Sequence, residues 1–428
     1  MSSQTVDIHP TLRKLQLPAL ALGVVGLALT TVAYFVAADK PRFFLSYLYA
    51  YMAALAIPLG CLGLLMIQHL SGGKWGLITR RILEAGSRTI WIPLILFIPM
   101  LFAFFFARSP DGYHAMYHWM DHDPKYIDPT QSKNAFKLFW LQEHFMLIRT
   151  AICFAIWIGM VLMFNVWSKA HDIGESAATN KKFKTYAGPG VILWFTTVTF
   201  FVFDWIMSID AHWYSTMYGF LFTAGQGLMA WLVVVFIMSF QAERAPLNKI
   251  VDGDAIHDLG KLLFAFNMFW AYLSFSQFLI MWSANLPEET PYYIVRMQNP
   301  QLKWVGAFLL LFHFAVPFTI LLNRDLKRNL RNLRLAVVWL FLMRFVDLFW
   351  NIVPFQYHHP VAKEGVLATH LPTTILWFDF VTPFALVGIV IAAFIWQLGR
   401  RPLLPKYDPR LLELEHSSAH GLAHSHAH

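Results

Sequence analysis

TMYGFLFTAGQGLMAWLVVVFIMSF, residues 216–240, runs its whole length without one charged side chain. As a helix rising about 1.5 Å per residue, it crosses the roughly 30 Å hydrocarbon core of a bilayer. Nine further apolar runs lie on either side of it, at 17–37, 44–69, 89–107, 138–167, 189–209, 260–284, 302–323, 334–355 and 374–397. The pattern predicts an all-α integral membrane protein of about ten spans. The run at 138–167 is the least regular, because Glu143 and His144 stand in its first turns.

Composition agrees with this reading. Of 428 residues, 57% are hydrophobic and 14% charged, against about 25% charged in a soluble domain. Phe, Trp and Tyr number 39, 17 and 15, as expected where helices end in interfacial aromatic belts. Cys61 and Cys153 stand alone in apolar stretches with no CxxC or CxxCH. Covalent c-type haem and cysteine-ligated iron–sulfur or zinc sites are thereby excluded from this chain. About sixteen polar-to-mixed residues lead into the first run without a small-residue cleavage pattern, so no cleaved signal is expected.

The net charge of +8 marks topology rather than nucleic-acid binding. With ten spans, the loops near 70–88, 168–188, 241–261 and 324–334, with both termini, carry 22 Lys and Arg. The opposite set carries nine, and Arg149 and Arg344 lie within spans. This bias predicts that both termini are cytoplasmic. The organisation expected is a cytoplasmic segment 1–16, a membrane domain 17–405 with bundles near 44–209 and 216–355, and a His-rich cytoplasmic tail 406–428. The tail, ending HSSAHGLAHSHAH, reads as a disordered polar end. The long outer loop 108–137 holds His114, His118 and His122 among Asp121, Asp123 and Asp128. On a helix the three histidines would share a face and could bind metal, but DHDP favours a turn. A wet loop against a partner is the preferred reading, and no metal is expected.

Ionisable groups within spans are costly and point to function. Gln142 and Arg149 share a helical face beside Glu143 and His144. Thr197, Asp204 and Ser208 form one stripe, and Asn267, Ser274 and Gln277 another. His313 stands alone in its span; Arg344, Asp347 and Asn351 share a face; and Asp379 opens the last span. By depth the set favours the outer half, with a trail toward the midplane. Such a chain can relay protons or bind the polar head of a quinol. Each member also has a plainer reading. Arg344 and Asp347 can neutralise one another at i, i+3, Arg149 can lock helices by pairing with Glu143 or Asp204, His313 can be a hydrogen-bonded core residue, and Asp379 can be hydrated. FVFDWIMSI around Asp204 and FVDLFWNIV around Asp347 occupy similar places, a weak hint of duplicated bundles.

The stretch DWIMSIDAHWYSTMYG, from Asp204 to Gly219, resembles the signature of the smaller NrfD-like (polysulfide-reductase-like) membrane subunit of bacterial alternative complex III. HLSGGKWGLITRRILEAGSRT (69–89) and LLFAFNMFWAYLSFSQFLIMWSANLPEETPYY (262–293) are similar to the same family, and the resemblance runs from about residue 40 to 400. It implies two four-helix bundles with one flanking helix at each end, in the bacterial cytoplasmic (inner) membrane. It implies a quinol:electron-acceptor oxidoreductase whose quinol site lies in a larger NrfD-like sister subunit. Iron–sulfur clusters would belong to an iron–sulfur subunit and c-type haems to multihaem cytochrome subunits, with lipids and the quinone pool around them. This chain would hold no cofactor, and the motif's Asp204, Asp210 and His212 would belong to an outward proton path. Glu143, His144, Arg149, His313, Arg344, Asp347 and Asp379 join them as candidates on the membrane argument alone. A secondary transporter and a purely structural subunit are the competing readings. A transporter should show spans broken in corresponding halves, whereas Pro58, Pro93, Pro99 and Pro317 are not clearly paired. Haem b ligation fits poorly, because His69, His144 and His313 differ in depth.

Overall fold

The computed structural model describes residues 8–108, 112–114, 116–121, 135–174, 177–287, 289–357, 375–405, 407–408 and 410–411. Among them ten helices are long and apolar enough to cross a membrane, and the chain is an all-α integral membrane protein. They are α1 (Pro10–Val36), α2 (Lys40–Ser71), α3 (Gly73–Phe106), α4 (Glu143–Ile173) and α5 (Ala177–Trp205). The remainder are α6 (Met217–Gln241), α7 (Gly253–Ala284), α8 (Pro300–Leu322), α9 (Leu330–Ile352) and α10 (Phe378–Leu398).

Several helices begin well before their apolar runs, because a helix need not stop where the hydrocarbon stops. α3, α5 and α7 extend back through segments expected as loops at 70–88, 168–188 and 241–261. Polar side chains cap the beginnings of α7, α8 and α9, whereas Gly72 before α3 makes no side-chain cap bond. The Asp252 carboxylate accepts from Ala255 N at 2.8 Å, and Asn299 and Asn329 cap α8 and α9 in the same way. α4 starts later than expected. A short helix, Ala135–Trp140, ends before it, and Gln142 is extended, so Gln142 does not share a helical face with Arg149.

α2 and α6 form the buried centre and pack closely against each other. Gly60 permits this approach: a Cβ there would lie 2.1 Å from the Gln226 carbonyl oxygen and 2.6 Å from Ala230 Cβ. α3 and α5 pack on α2, and α4 on α5; α7 and α9 pack on α6, with α8 against α7 and α9. α1 and α10 pair with one another, Gly26 against Ala385, and α10 lies along α2 and α3.

Candidate functional site

A buried polar arrangement that borders a cavity lies in the α6–α9 half. Spacings of three and four residues place Arg344, Asp347 and Asn351 on one face of α9, and all three are buried. Arg344 Nη1 donates to Asp347 Oδ2 at 2.5 Å, and Asn351 Nδ2 donates to Asp347 Oδ1 at 3.1 Å. From the segment between α7 and α8, Tyr292 donates its hydroxyl to Asn351 Oδ1 at 2.9 Å. The fully buried Arg296 donates to the carbonyls of Trp350 and Asn351, at 3.0 and 3.2 Å. Its guanidinium carbon stands 3.5 Å from the centre of the Tyr292 ring. Burial lowers the Arg296 pKa and pushes the Tyr292 hydroxyl up to about 12, so Tyr292 stays a neutral donor. Arg296 falls between the apolar runs 260–284 and 302–323 and so reads as one of the nine loop cations; its place between two aromatic-rich spans is the signal of its burial.

Backbone irregularity supports this arrangement. α8 carries a π-helical stretch, Leu309–Ala315, just before Pro317, which has no N–H to offer the His313 carbonyl. Trp339 of α9 reaches across and donates its indole N–H to the Phe312 carbonyl at 2.8 Å. The stretch turns His313 into the bundle, where its ring lies 3.7 Å from that of Trp270. Neither His313 nitrogen has a protein partner, nor do the amide atoms of Asn267 or Gln226 Oε1, all buried. Buried polar atoms of this kind are where ordered water sits. Gly225 gives Arg344 its space, since a Cβ there would fall 2.3 Å from Nη2.

Above this column is a cavity of about 730 Å³ between α7, α8 and α9. Its walls are mainly aromatic and aliphatic, with Gln277, Asp347 and Asn351 among the polar residues and Trp270, Tyr292 and Tyr293 among the aromatic residues that carry an N–H or O–H. Ser274 also lines it, so of the stripe on α7 Ser274 and Gln277 reach the cavity, and Asn267 lies about two to three turns away along the helix.

In the α2–α5 half, Asp204 is closed into a pair. Arg149 Nε and Nη2 donate to its two carboxylate oxygens, each at 2.8 Å, and Trp140 Nε1 donates to Oδ1 at 2.8 Å. The guanidinium also covers the Trp140 ring at 4.2 Å. α5 ends at Trp205, so Ser208 belongs to a following 3-10 turn, where its hydroxyl bonds the Asp204 carbonyl. Thr197 accepts from Trp157 Nε1 at 2.8 Å, a packing role. Asp210 turns the chain by accepting from the backbone N–H of His212 and Trp213. His212, like His144, is exposed, and Glu143 is half-buried at the start of α4.

Asp379 is buried rather than hydrated: it accepts from Arg42 Nη2 at 2.5 Å, from Ser46 and from Leu376 N. Arg42 precedes the apolar run at 44–69 and so reads as a loop cation, but it sits in the first turn of α2. Arg80, Arg81 and Glu84, also assigned to a loop, are buried in α3 and form a network with Ser168, Asp172 and Asp408. Their spacing of three and four was the available signal. His69 stacks on Phe183, with ring centres 4.1 Å apart. In the outer loop, His114 Nδ1 lies 2.6 Å from Asp121 Oδ1, and His118–Asp121 forms a single 3-10 turn. His122, Asp123, Asp128 and the tail histidines lie outside the described residues. Among the described residues, no three His, Cys, Asp or Glu side chains converge as metal ligands, and both cysteines are free and buried.

No protein-family model matches the sequence, and no curated protein matches it.

Proposed function

We propose that this chain is a membrane subunit of a quinol:electron-acceptor oxidoreductase of the alternative complex III type. In this reading it lies in a bacterial cytoplasmic membrane with both termini inside, beside a larger NrfD-like sister that oxidises quinol. Electrons pass through an iron–sulfur subunit and multihaem c-type cytochromes, and this chain, without a redox centre of its own, supplies scaffold and a route for protons. The observation that carries the proton role is the buried series on α6–α9: Asn351, Asp347 and Arg344, continued by His313 and Asn267, whose polar atoms lack protein partners. Buried ionisable groups of this kind are expensive in a membrane and mark ion and proton routes.

The closed Arg149–Asp204 pair favours a scaffold role for the first half, so the candidates Asp204, Asp210 and His212 become the outer support of the route. A transporter is less favoured. The breaks fall in α3, second of its four helices, and in α8, third of its four, which are not corresponding positions. The test is proton release per quinol oxidised by the purified assembly, reconstituted in vesicles. Asp347→Asn should lower that ratio while quinol oxidation in uncoupled vesicles persists; an unchanged ratio removes the proton route from this chain.

A further inference from the structure

We propose that the corner where α3 and α4 meet the C-terminal end of α10 binds an anionic phospholipid. Its phosphodiester would sit on Arg88, Arg400 and Arg401, and an acyl chain would lie along α3. The inference rests on the membrane reading of the chain and not on its membership of a redox assembly.

The first observation is charge. Arg88 opens the 3-10 turn within α3, and Arg400 and Arg401 follow the end of α10 at Leu398. Arg88 Nη1 and Arg401 Nη1 both donate to Oδ1 of the buried Asn165 of α4, at 2.9 and 3.2 Å. Two like charges therefore meet on one neutral oxygen, an arrangement that an anion beside them relieves. The neighbouring carboxylates are committed elsewhere. Glu84 is held by Arg80 and Arg81, Asp172 by Arg81, and Asp408 by Arg80 and Arg410. Among the described residues Arg88 and Arg400 have no ion-pair partner, and Arg401 has only Glu84 Oε2, 3.8 Å away.

The second observation is unused donors. Arg401 donates through Nη1 alone, to Asn165, and the Arg400 guanidinium donates to no described residue but lies 3.9 Å over the Trp396 ring. Nε and Nη2 of Arg401 and the whole fork of Arg400 are left to bond phosphate oxygens in pairs. Both are within reach, since Arg400 is exposed and the Arg401 side chain is 16% exposed.

The third observation is an apolar track that starts at the arginines. Spacings of three and four place Arg88, Trp91, Ile95 and Ile98 on one face of α3. Trp91, Ile95 and Ile98 are 45%, 61% and 59% exposed, so the track is open to an acyl chain. Trp396, half-exposed in the last turn of α10, marks the headgroup level. A soluble phosphate compound has nothing to lay on this track, whereas a phospholipid covers the track and the cations together. Basic pockets between membrane helices take anionic headgroups in this way. A zwitterionic head would bring an ammonium toward three arginines, and the nearest carboxylate, Glu84, is fully buried.

The test is native mass spectrometry of the isolated full chain, delipidated in detergent. It is titrated separately with dioleoylphosphatidylglycerol, dioleoylphosphatidylethanolamine and glycerol 3-phosphate. Because no partner subunit is present, the result is independent of the proposed assembly. Saturable binding of phosphatidylglycerol is expected, about fivefold or more tighter than that of phosphatidylethanolamine, with no binding of glycerol 3-phosphate in the same range. Arg400→Gln should weaken phosphatidylglycerol about fivefold, and Arg400→Gln with Arg401→Gln about 25-fold, with phosphatidylethanolamine unchanged. Arg324→Gln with Arg331→Gln removes the same charge from exposed positions between α8 and α9 and should change the affinity by less than about twofold. The proposal is overturned by equal affinity for the two lipids, or by glycerol 3-phosphate binding as tightly as phosphatidylglycerol. It is equally overturned if the control pair loses as much as the Arg400 and Arg401 pair, or if that pair binds like wild type. Should the double variant fail to fold, Arg400→Gln decides alone, because Arg400 is exposed and holds no hydrogen bond among the described residues.

Discussion

Separating the members of the Arg149–Asp204 pair should give an asymmetric loss of stability. The Asp204 side chain is 1% exposed and that of Arg149 is 19% exposed. Arg149→Met leaves a carboxylate enclosed with only the Trp140 N–H as a side-chain donor. Stranding a buried charge costs about 3–5 kcal/mol. Asp204→Leu instead leaves a guanidinium that reaches solvent, still covers the Trp140 ring and still donates to the Trp140 carbonyl at 2.9 Å. Rehydration should cut that cost to about 1–3 kcal/mol. The double variant replaces a charged pair with two apolar side chains and should lie within about 1 kcal/mol of the less damaged single variant. The assay is reversible unfolding in mixed micelles titrated with SDS, run as a double-mutant cycle. If both single losses fall within about 0.5 kcal/mol of wild type, or the double equals their sum, the pair is not the lock described here.

Other outcomes follow from the same packing. Gly60→Ala should force α2 from α6, since the added Cβ would meet a backbone carbonyl; a loss of about 3 kcal/mol in the same assay is expected. His313→Phe keeps a ring against Trp270 and removes two unpaired nitrogens, so stability should hold or rise by about 1 kcal/mol. In the assembly that variant should nonetheless lower proton release per quinol. Near the C-terminus, burial raises the Asp408 pKa, but the hydrogen bond and charge of Arg410 and the charge of Arg80 outweigh it and hold it down at about 2. A depressed folded value means this contribution to stability is whole above the ordinary carboxylate range near pH 4 and is lost as pH falls through about 2. Pepsin cleavage around residue 408 should therefore rise between pH 4 and 2, and Asp408→Asn should expose Arg410 to trypsin at neutral pH.

The spans were legible because a run of about twenty apolar residues has few other fates. Helix starts were not, because hydropathy registers the hydrocarbon and not the helix. Gly73–Ser87 carries Lys74, Arg80, Arg81 and Glu84 and so reads as a loop. It is helical and buried because Glu84, Asp172 and Asp408 neutralise the arginines, and Asp408 lies more than 300 residues away. The same distance hid Arg42 as the partner of Asp379. Local pairing was legible: Arg344 with Asp347 at i, i+3, and Asp204 as one of two partners weighed for Arg149. The cavity could not be read at all, because it depends on where α7, α8 and α9 splay. The hint was His313, isolated four residues before Pro317, where a helix loses its regular bonding.

The most direct test of the account is gentle extraction from native membranes, capture through this chain, and a reduced-minus-oxidised spectrum with identification of the captured subunits. Co-purified c-type haem and an iron–sulfur subunit, both reduced by added quinol, are predicted. A colourless protein, alone under conditions that keep other respiratory complexes intact, would contradict the account.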